Sequence, residues 1–355
     1  VILRGLGLKR DYGSFQLSVG DIGLQRGEIL GLLGTSGAGK TTLLRLLALL
    51  ESPDAGRILF DGARIKRRNL AARRRMATAL QSATLLRGSV RSNVELGLRL
   101  RGRPADQRRS RADEAMEKLG IAEIADADVS TLSGGQAQRV GLARAIAIKP
   151  TVLLLDEPLA HIDEPLREEL AMSLKAFVKG TDAACLWVTH DRSEALASSD
   201  RVAVMHDGKL LQSGPSTEVF RRPSHEAVAR LVGADNIISG VISSSERGIA
   251  EVKAGPARLE VASDIPEGAE VLVLVRPEDV NIWPHAPSDP SPRNRFEGTL
   301  ESATELGALV RLNIEGPATM TALITRPTFE ELGLIGGSRL HYGFKATAAH
   351  VIRRS

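Results

Sequence analysis

The 355-residue sequence has a single cysteine, Cys185. That excludes an internal disulfide and any cysteine-cluster zinc site, and it fits a reducing compartment. The seven histidines are scattered, with no pair at metal-ligand spacing, so no structural metal site is expected. Long apolar runs are missing too. Thr42–Leu50 is interrupted by Arg45 and Thr151–Leu155 ends at Asp156, well short of the roughly 18–20 residues that span a bilayer. No apolar leader stands near the N-terminus, and the chain opens on Val1 without a Met, which leaves room for a trimmed start. A role at a membrane would therefore require docking onto another protein. Charge of one sign is also scarce: 47 basic against 43 acidic residues leave a formal net charge of +4. That excess is small for a dedicated nucleic-acid binder, and no nucleic-acid partner is expected.

What is present is ordinary globular composition, 43% hydrophobic and 25% charged, in a length suited to two domains. Up to about residue 230, short apolar runs alternate with longer helical stretches, the pattern of an α/β domain. Glu28–Leu33, Val152–Leu155 and Cys185–Val188 read as strands, Lys40–Leu50 as a helix, and Asn93–Gly120 as Arg-rich and helical. After Pro223 the texture changes to β-prone runs separated by glycine, such as Val271–Val275, and the Pro-rich stretch 284–292 splits this region. The two pieces resemble each other. Asn236–Ile242 matches Asn294–Leu300, and Val271–Arg276 matches Leu340–Lys345, with extra residues in the second copy around Thr328–Leu332. Short all-β repeats of this kind form small barrels.

The strongest motif is Gly34-Thr35-Ser36-Gly37-Ala38-Gly39-Lys40-Thr41, followed by Thr42, between a predicted strand and a predicted helix. Glycines let the backbone aim N–H groups at phosphate oxygens, and the helix N-terminus adds roughly +0.5 of an elementary charge. Lys40 can reach the β/γ-phosphates and the Thr41 hydroxyl can ligate Mg²⁺. Four apolar residues, Val152–Leu155, end in Asp156 and Glu157; this places Asp156 near the Mg²⁺ shell and Glu157 where it can polarise an attacking water. Leu132-Ser133-Gly134-Gly135-Gln136 opens another helix. Alone it would be a serine N-cap; after a P-loop it is a second anion-binding helix start, directed at the γ-phosphate held by another copy of the chain.

With these motifs in order, residues 1 to about 230 resemble the ATP-binding subunit of an ABC transporter. The resemblance implies that Tyr12 stacks on adenine, that Gln81 lies in the loop linking Mg²⁺ or water to the transmembrane partner, and that Asp163 communicates across a dimer. It further implies that His190, within Val188-Thr189-His190-Asp191, contacts the γ-phosphate. His161 departs from the small or amide residue usual in that loop. Val275-Arg276-Pro277-Glu278-Asp279 resembles the accessory β-domain of importers of oxyanions, iron, sugars and polyamines. The last copy, with Ser291-Pro292-Arg293-Asn294 and Phe344-Lys345-Ala346-Thr347, resembles the molybdate-binding molbindin barrels. Arg293, Asn294, Lys345 and Thr347 supply charge and hydroxyl or amide donors of the kind a tetrahedral dianion wants, or else they solvate and cap a regulatory barrel. Copy one has Asp235, Asn236, Arg276 and Glu278 at the matching places; its acids would repel such an ion.

The expected fold is an α/β P-loop NTPase cassette over residues 1–232, with a helical subdomain about 82–135. An OB- or molbindin-like all-β domain follows over 233–355, its repeats about 236–283 and 291–355. The resemblance implies an ATPase that uses ATP and Mg²⁺, works as a homodimer on transmembrane permease subunits, and serves an extracytoplasmic binding protein. It would sit peripherally at the cytoplasmic face of the membrane. Molybdate or tungstate is the expected cargo, with sulfate, ferric iron, a polyamine or a sugar as the alternative. An ABC protein acting on ribosomes or DNA would usually fuse two cassettes or insert a long coiled coil, and this chain shows neither.

Overall fold

The run read as a strand from Glu28 is one from Ile29 to Gly34, buried at every residue, and the first half of the chain is built outward from it. A computed structural model describes residues 1–82, 84–286 and 291–354, and these fall into two units, Val1–Val219 and Phe220–Ser355. The strands of the first unit are β1 (Leu3–Asp11), β2 (Gln16–Leu24), β3 (Ile29–Gly34), β4 (Ala55–Phe60), β5 (Ala63–Ile65), β6 (Met76–Ala79), β7 (Val152–Asp156), β8 (Ala184–Thr189), β9 (Arg201–His206) and β10 (Lys209–Pro215). Its helices are α1 (Lys40–Leu47), α2 (Leu70–Arg74), α3 (Val90–Arg99), α4 (Ala105–Lys118), α5 (Gly134–Ala147), α6 (Glu164–Thr181) and α7 (Arg192–Ser198), and α8 (Ser216–Arg221) leads out of it.

The strands make one ten-stranded sheet in the order β5-β4-β1-β2-β10-β9-β3-β8-β7-β6. The stretch β9-β3-β8-β7-β6 is parallel, and its central strands are apolar up to Asp156 and Thr189 at the ends of β7 and β8 because both faces are covered. The two-residue period divides them between two cores. Val152, Leu154, Ala184, Leu186 and Val188 pack on the α1 side; Leu153, Leu155, Cys185 and Trp187 pack on the side of α5, α6 and the helical region. β3 lies between β8 and β9, so the loop leaving its C-terminal end opens where successive connections diverge to either side, the usual ligand crevice of such sheets.

The Arg-rich helical stretch Asn93–Gly120 is divided between two helices, α3 and α4. Gly102 at φ 70 and Pro104, the N-cap of α4, break the run. Val94 and Leu98 of α3 and Met116 of α4 share a core with Val140 and Leu142 of α5, whereas Leu100 is 67% exposed.

In the second unit the strands are β11 (Asn236–Glu246), β12 (Ile249–Ala254), β13 (Ala257–Ala262), β14 (Glu270–Val275), β15 (Asn281–Trp283), β16 (Asn294–Leu306), β17 (Leu309–Glu315), β18 (Met320–Thr325), β19 (Arg339–Phe344) and β20 (His350–Arg353). The helices are α9 (Glu226–Leu231) and α10 (Arg326–Leu332). Two antiparallel five-stranded sheets, β13-β12-β11-β14-β20 and β15-β19-β16-β17-β18, share one apolar core. The repeat is carried into register: Asn236 pairs with Val275 and Asn294 with Phe344, and the first strand of each copy shifts register after Ile242 or Leu300. The extra residues of the second copy form α10. Positions 287–290 of the Pro-rich stretch lie outside the described residues.

Each copy also completes the other. β15, the last strand of copy one, pairs with β19, and β20, the last strand of copy two, pairs with β14. The buried Asn236 amide bonds both backbone groups of Thr321, at 2.6 and 2.9 Å, and the Asn294 amide does the same with Glu260, at 2.7 and 2.8 Å. The division between units lies earlier than the boundary at 232/233 read from the sequence. Ala229 of α9 is buried with Leu272, Leu274 and Ile352, so that helix packs with the β-domain.

Candidate functional site

Gly39 closes the phosphate-loop motif at φ 96 as the residue before α1. A β-carbon there would strain the backbone and stand 2.5 Å from the Phe15 ring, so only glycine lets the loop turn into the helix while Phe15 packs on it. Lys40 is 6% exposed. Its ammonium donates to the carbonyls of Gly34 and Thr35, at 2.8 and 3.0 Å, which wraps the loop around the charge. Burial pushes the Lys40 pKa down, against the pull of Glu157 and Asp156.

The Thr41 hydroxyl donates to both oxygens of Asp156, at 2.9 and 3.2 Å. Asp156 is 2% exposed, and burial raises its pKa, with the Thr41 bond opposing. Glu157, next along the chain, is held on both sides: Gln81 Nε2 donates to one carboxylate oxygen at 3.0 Å and His190 Nδ1 lies 2.9 Å from the other. Residues from β3–α1, the segment after β6, the end of β7 and the end of β8 thus converge at one edge of the parallel strands. The donor set is a hydroxyl, an amide and one buried carboxylate. Among the described residues no group of three or more His, Cys, Asp or Glu could hold a metal ion. A hard divalent cation bound jointly by one carboxylate, a hydroxyl and substrate phosphates fits such a set; zinc does not.

Tyr12 lies on the turn between β1 and β2, with Phe15 on the same turn. Its hydroxyl donates to Glu51 and the Arg10 guanidinium stands 5.1 Å from its ring centroid; the ring remains 45% exposed. Phe15, Glu51 and Arg10 were not singled out from the sequence, and only the nearness of Phe15 to Tyr12 would have pointed to any of them.

Ser133 caps α5 in a reciprocal box: its hydroxyl accepts from Gln136 N at 3.2 Å and Gln136 Oε1 accepts from Ser133 N at 2.9 Å. Its hydrogen bonds therefore close on its own helix, not on the phosphate loop. Gly134 and Gly135 sit in the first turn, and a β-carbon on Gly135 would lie 2.9 Å from the His161 carbonyl. Asp163, exposed, begins α6 without a side-chain cap bond. His161 itself is exposed, at φ 64.

In the second unit Arg293 and Lys345 extend from the same end of the ladder, beyond the Asn294–Phe344 pair. The Arg293 guanidinium meets Glu260 at 3.0 Å, and Lys345 and Thr347 are exposed. Asn294 is removed from the expected donor set. Its amide is buried and bonds Glu260 N, Glu260 O and Phe344 O, which leaves no N–H for an ion. At the matching end of copy one, Asp235 pairs with Arg311 at 2.7 Å and Arg276 with Glu278 at 3.4 Å.

Residues 18–160 match the ABC transporter family model and residues 290–351 the TOBE domain model. The chain is 36% identical over 97% of its length, and 98% of the relative's, to the molybdate/tungstate import ATP-binding protein WtpC of Pyrococcus horikoshii. It is 37% identical over 82% of its length, and 78% of the relative's, to the spermidine/putrescine import ATP-binding protein PotA of Oleidesulfovibrio alaskensis. Among solved structures, a dimeric ATP-binding cassette in a post-hydrolysis state, bound to ADP and Pi, superposes with a TM-score of 0.56. The identity is 26%, covering 61% of this chain and 99% of that one.

Proposed function

The chain belongs to the ATP-binding subunits of ABC importers, and from that premise we propose how its residues run the ATPase cycle and which cargo the cycle drives. Subunits of this family are ATPases coupled to transport, and their cassettes dimerise and work with permease subunits. The observation that supports the site assignment is the suspension of Glu157 between Gln81 and His190, beside the Thr41–Asp156 pair.

ATP phosphates lie along Gly34–Thr42, where Lys40 exchanges its two carbonyl partners for phosphate oxygens. Mg²⁺, held by Thr41, Asp156 and Gln81, supplies screening of the phosphate charge when bound. Glu157 orients and polarises the attacking water, His190 contacts the γ-phosphate, and Tyr12 stacks on adenine. Ser133, Gly134, Gly135 and Gln136 of a second copy complete the pocket, and Asp163 signals across that junction. Among the described residues no helix is long and apolar enough to cross a membrane. The chain docks at the cytoplasmic face onto permease subunits through the region around Gln81, and an extracytoplasmic binding protein delivers the cargo.

The cargo we assign is molybdate or tungstate. Support comes from the near full-length similarity to the relative named for those ions and from two cations, Arg293 and Lys345, at one ladder end with the exposed Thr347 hydroxyl nearby in sequence. Calorimetry of the full chain with molybdate, tungstate and sulfate titrated separately tests it. Heat from the first two and none from sulfate supports the reading. Silence, or equal sulfate binding, moves the cargo to sulfate, ferric iron, a polyamine or a sugar; the similarity to a polyamine import subunit keeps that class in view.

A further inference from the structure

His190 stands between two residues that are both tied down, and one side chain outside the ATP site organises the ties. Glu194, in the first turn of α7, is half-buried against the end of β8. Its carboxylate accepts from Trp187 Nε1 at 2.5 Å and from Thr189 Oγ1 at 2.8 Å. The Thr189 hydroxyl in turn accepts from Asp191 N at 3.0 Å, and the Asp191 carboxylate caps α7 at Ser193 N and Glu194 N, 2.7 and 3.0 Å away. Trp187 and Thr189 are 0% and 1% exposed. The residues before and after the histidine are therefore fixed, while the His190 side chain stays 60% exposed and meets Glu157.

We propose that Glu194 is a positioning residue for ATP hydrolysis, acting through His190: its carboxylate, bonded to Trp187 and Thr189, anchors the end of β8 so that the imidazole is presented at a set place beside Glu157. The inference rests on the reading of His190 as a γ-phosphate contact. The physical basis is acceptor supply. An indole N–H only donates, and the Thr189 hydroxyl oxygen is already bonded by Asp191 N, so this buried corner needs an acceptor for each of two donors. A carboxylate meets both without presenting a donor of its own. Burial is unfavourable for that charge and raises the Glu194 pKa, so the group is maintained there against its solvation. A glutamine keeps the size of the side chain and one acceptor oxygen for these two donors; alanine removes both acceptors.

Steady-state hydrolysis by the full chain tests this with Glu194→Ala, Glu194→Gln, His190→Ala and the His190→Ala/Glu194→Ala pair. Glu194→Ala should lower kcat about tenfold, the scale of a misplacement of under 1 Å, with KM for ATP and nucleotide affinity within twofold of wild type. Glu194→Gln should recover most of that loss, and in the His190→Ala background the Glu194→Ala change should cost nothing more. Wild-type kcat in Glu194→Ala, or the same tenfold fall on top of His190→Ala, would overturn the proposal. Wild-type turnover in His190→Ala alone would instead remove the reading of His190 on which it stands. If Glu194→Ala does not fold, Thr189→Val interrupts the same link, and its loss should likewise vanish when His190 is absent.

Discussion

Glu157 holds a left-handed backbone, φ 47, while its N–H bonds Val188 O at 2.9 Å. A residue bearing a β-carbon is kept there at a cost of order 1–3 kcal/mol, so the turn delivers the carboxylate to Gln81 and His190 by constraint, not by strand geometry alone. Glutamine keeps the shape and loses the charge. Glu157→Gln is expected to slow ATP turnover about 10²–10³-fold, the scale of losing one preorganised group, while ATP still drives dimerisation; phosphate release and size-exclusion profiles with ATP measure the two. Asp156 is the opposite case for stability. Its folded-state pKa is raised, so the charged form weakens the fold above that pKa, and the penalty fades as pH falls through it towards the ordinary aspartate value. Asp156→Asn should therefore raise Tm near pH 7. The gain should disappear in acid, and Mg²⁺-dependent hydrolysis should be lost. Thermal melts across pH decide it.

At the scale of the element, α5 has two duties at its N-terminus. The Ser133–Gln136 box satisfies the helix's first amides, and the same turn is the part proposed to face a second copy's nucleotide. The two duties separate by magnitude. Loss of a serine cap costs about 1 kcal/mol, a small drop in melting temperature. Ser133→Ala is expected to show that drop together with a loss of turnover far larger than partial unfolding could cause, measured well below the melting range. A turnover loss no greater than the melt explains would leave Ser133 a helix cap and nothing more.

For the whole molecule, the consequence of the proposed pocket shared between copies is kinetic. Hydrolysis per chain should rise with protein concentration and level off as dimers saturate, followed by turnover against sedimentation state; a flat rate at dilutions where the chain is monomeric would contradict the shared pocket. The second unit has its own long-range test. Asn236 and Asn294 make equivalent clasps from one copy to the other, so replacing either by alanine leaves buried backbone groups unpaired at about 1–3 kcal/mol. Both variants should lower the denaturation midpoint of the second unit by similar amounts, and neither should touch ATP binding.

The sequence by itself determined the nucleotide motifs, the buried strands and the repeat, because each rests on short-range spacing. Glycines at fixed offsets, a four-residue apolar run before Asp156-Glu157 and a two-residue alternation are properties of a few adjacent residues. Only the tertiary structure decided what depends on partners far along the chain. Glu157 meets Gln81 and His190 across strands β6, β7 and β8; Glu194 finds Trp187 and Thr189 once α7 folds back; Asn294, read from the sequence as an ion donor, is held by Glu260. Strand exchange between the two copies was likewise invisible, since a strand's pattern records which face is buried and not which neighbour it pairs with. An amide or carboxylate is chemically the same residue whether it faces a ligand or a backbone group, and only the packing around it determines which of the two it serves.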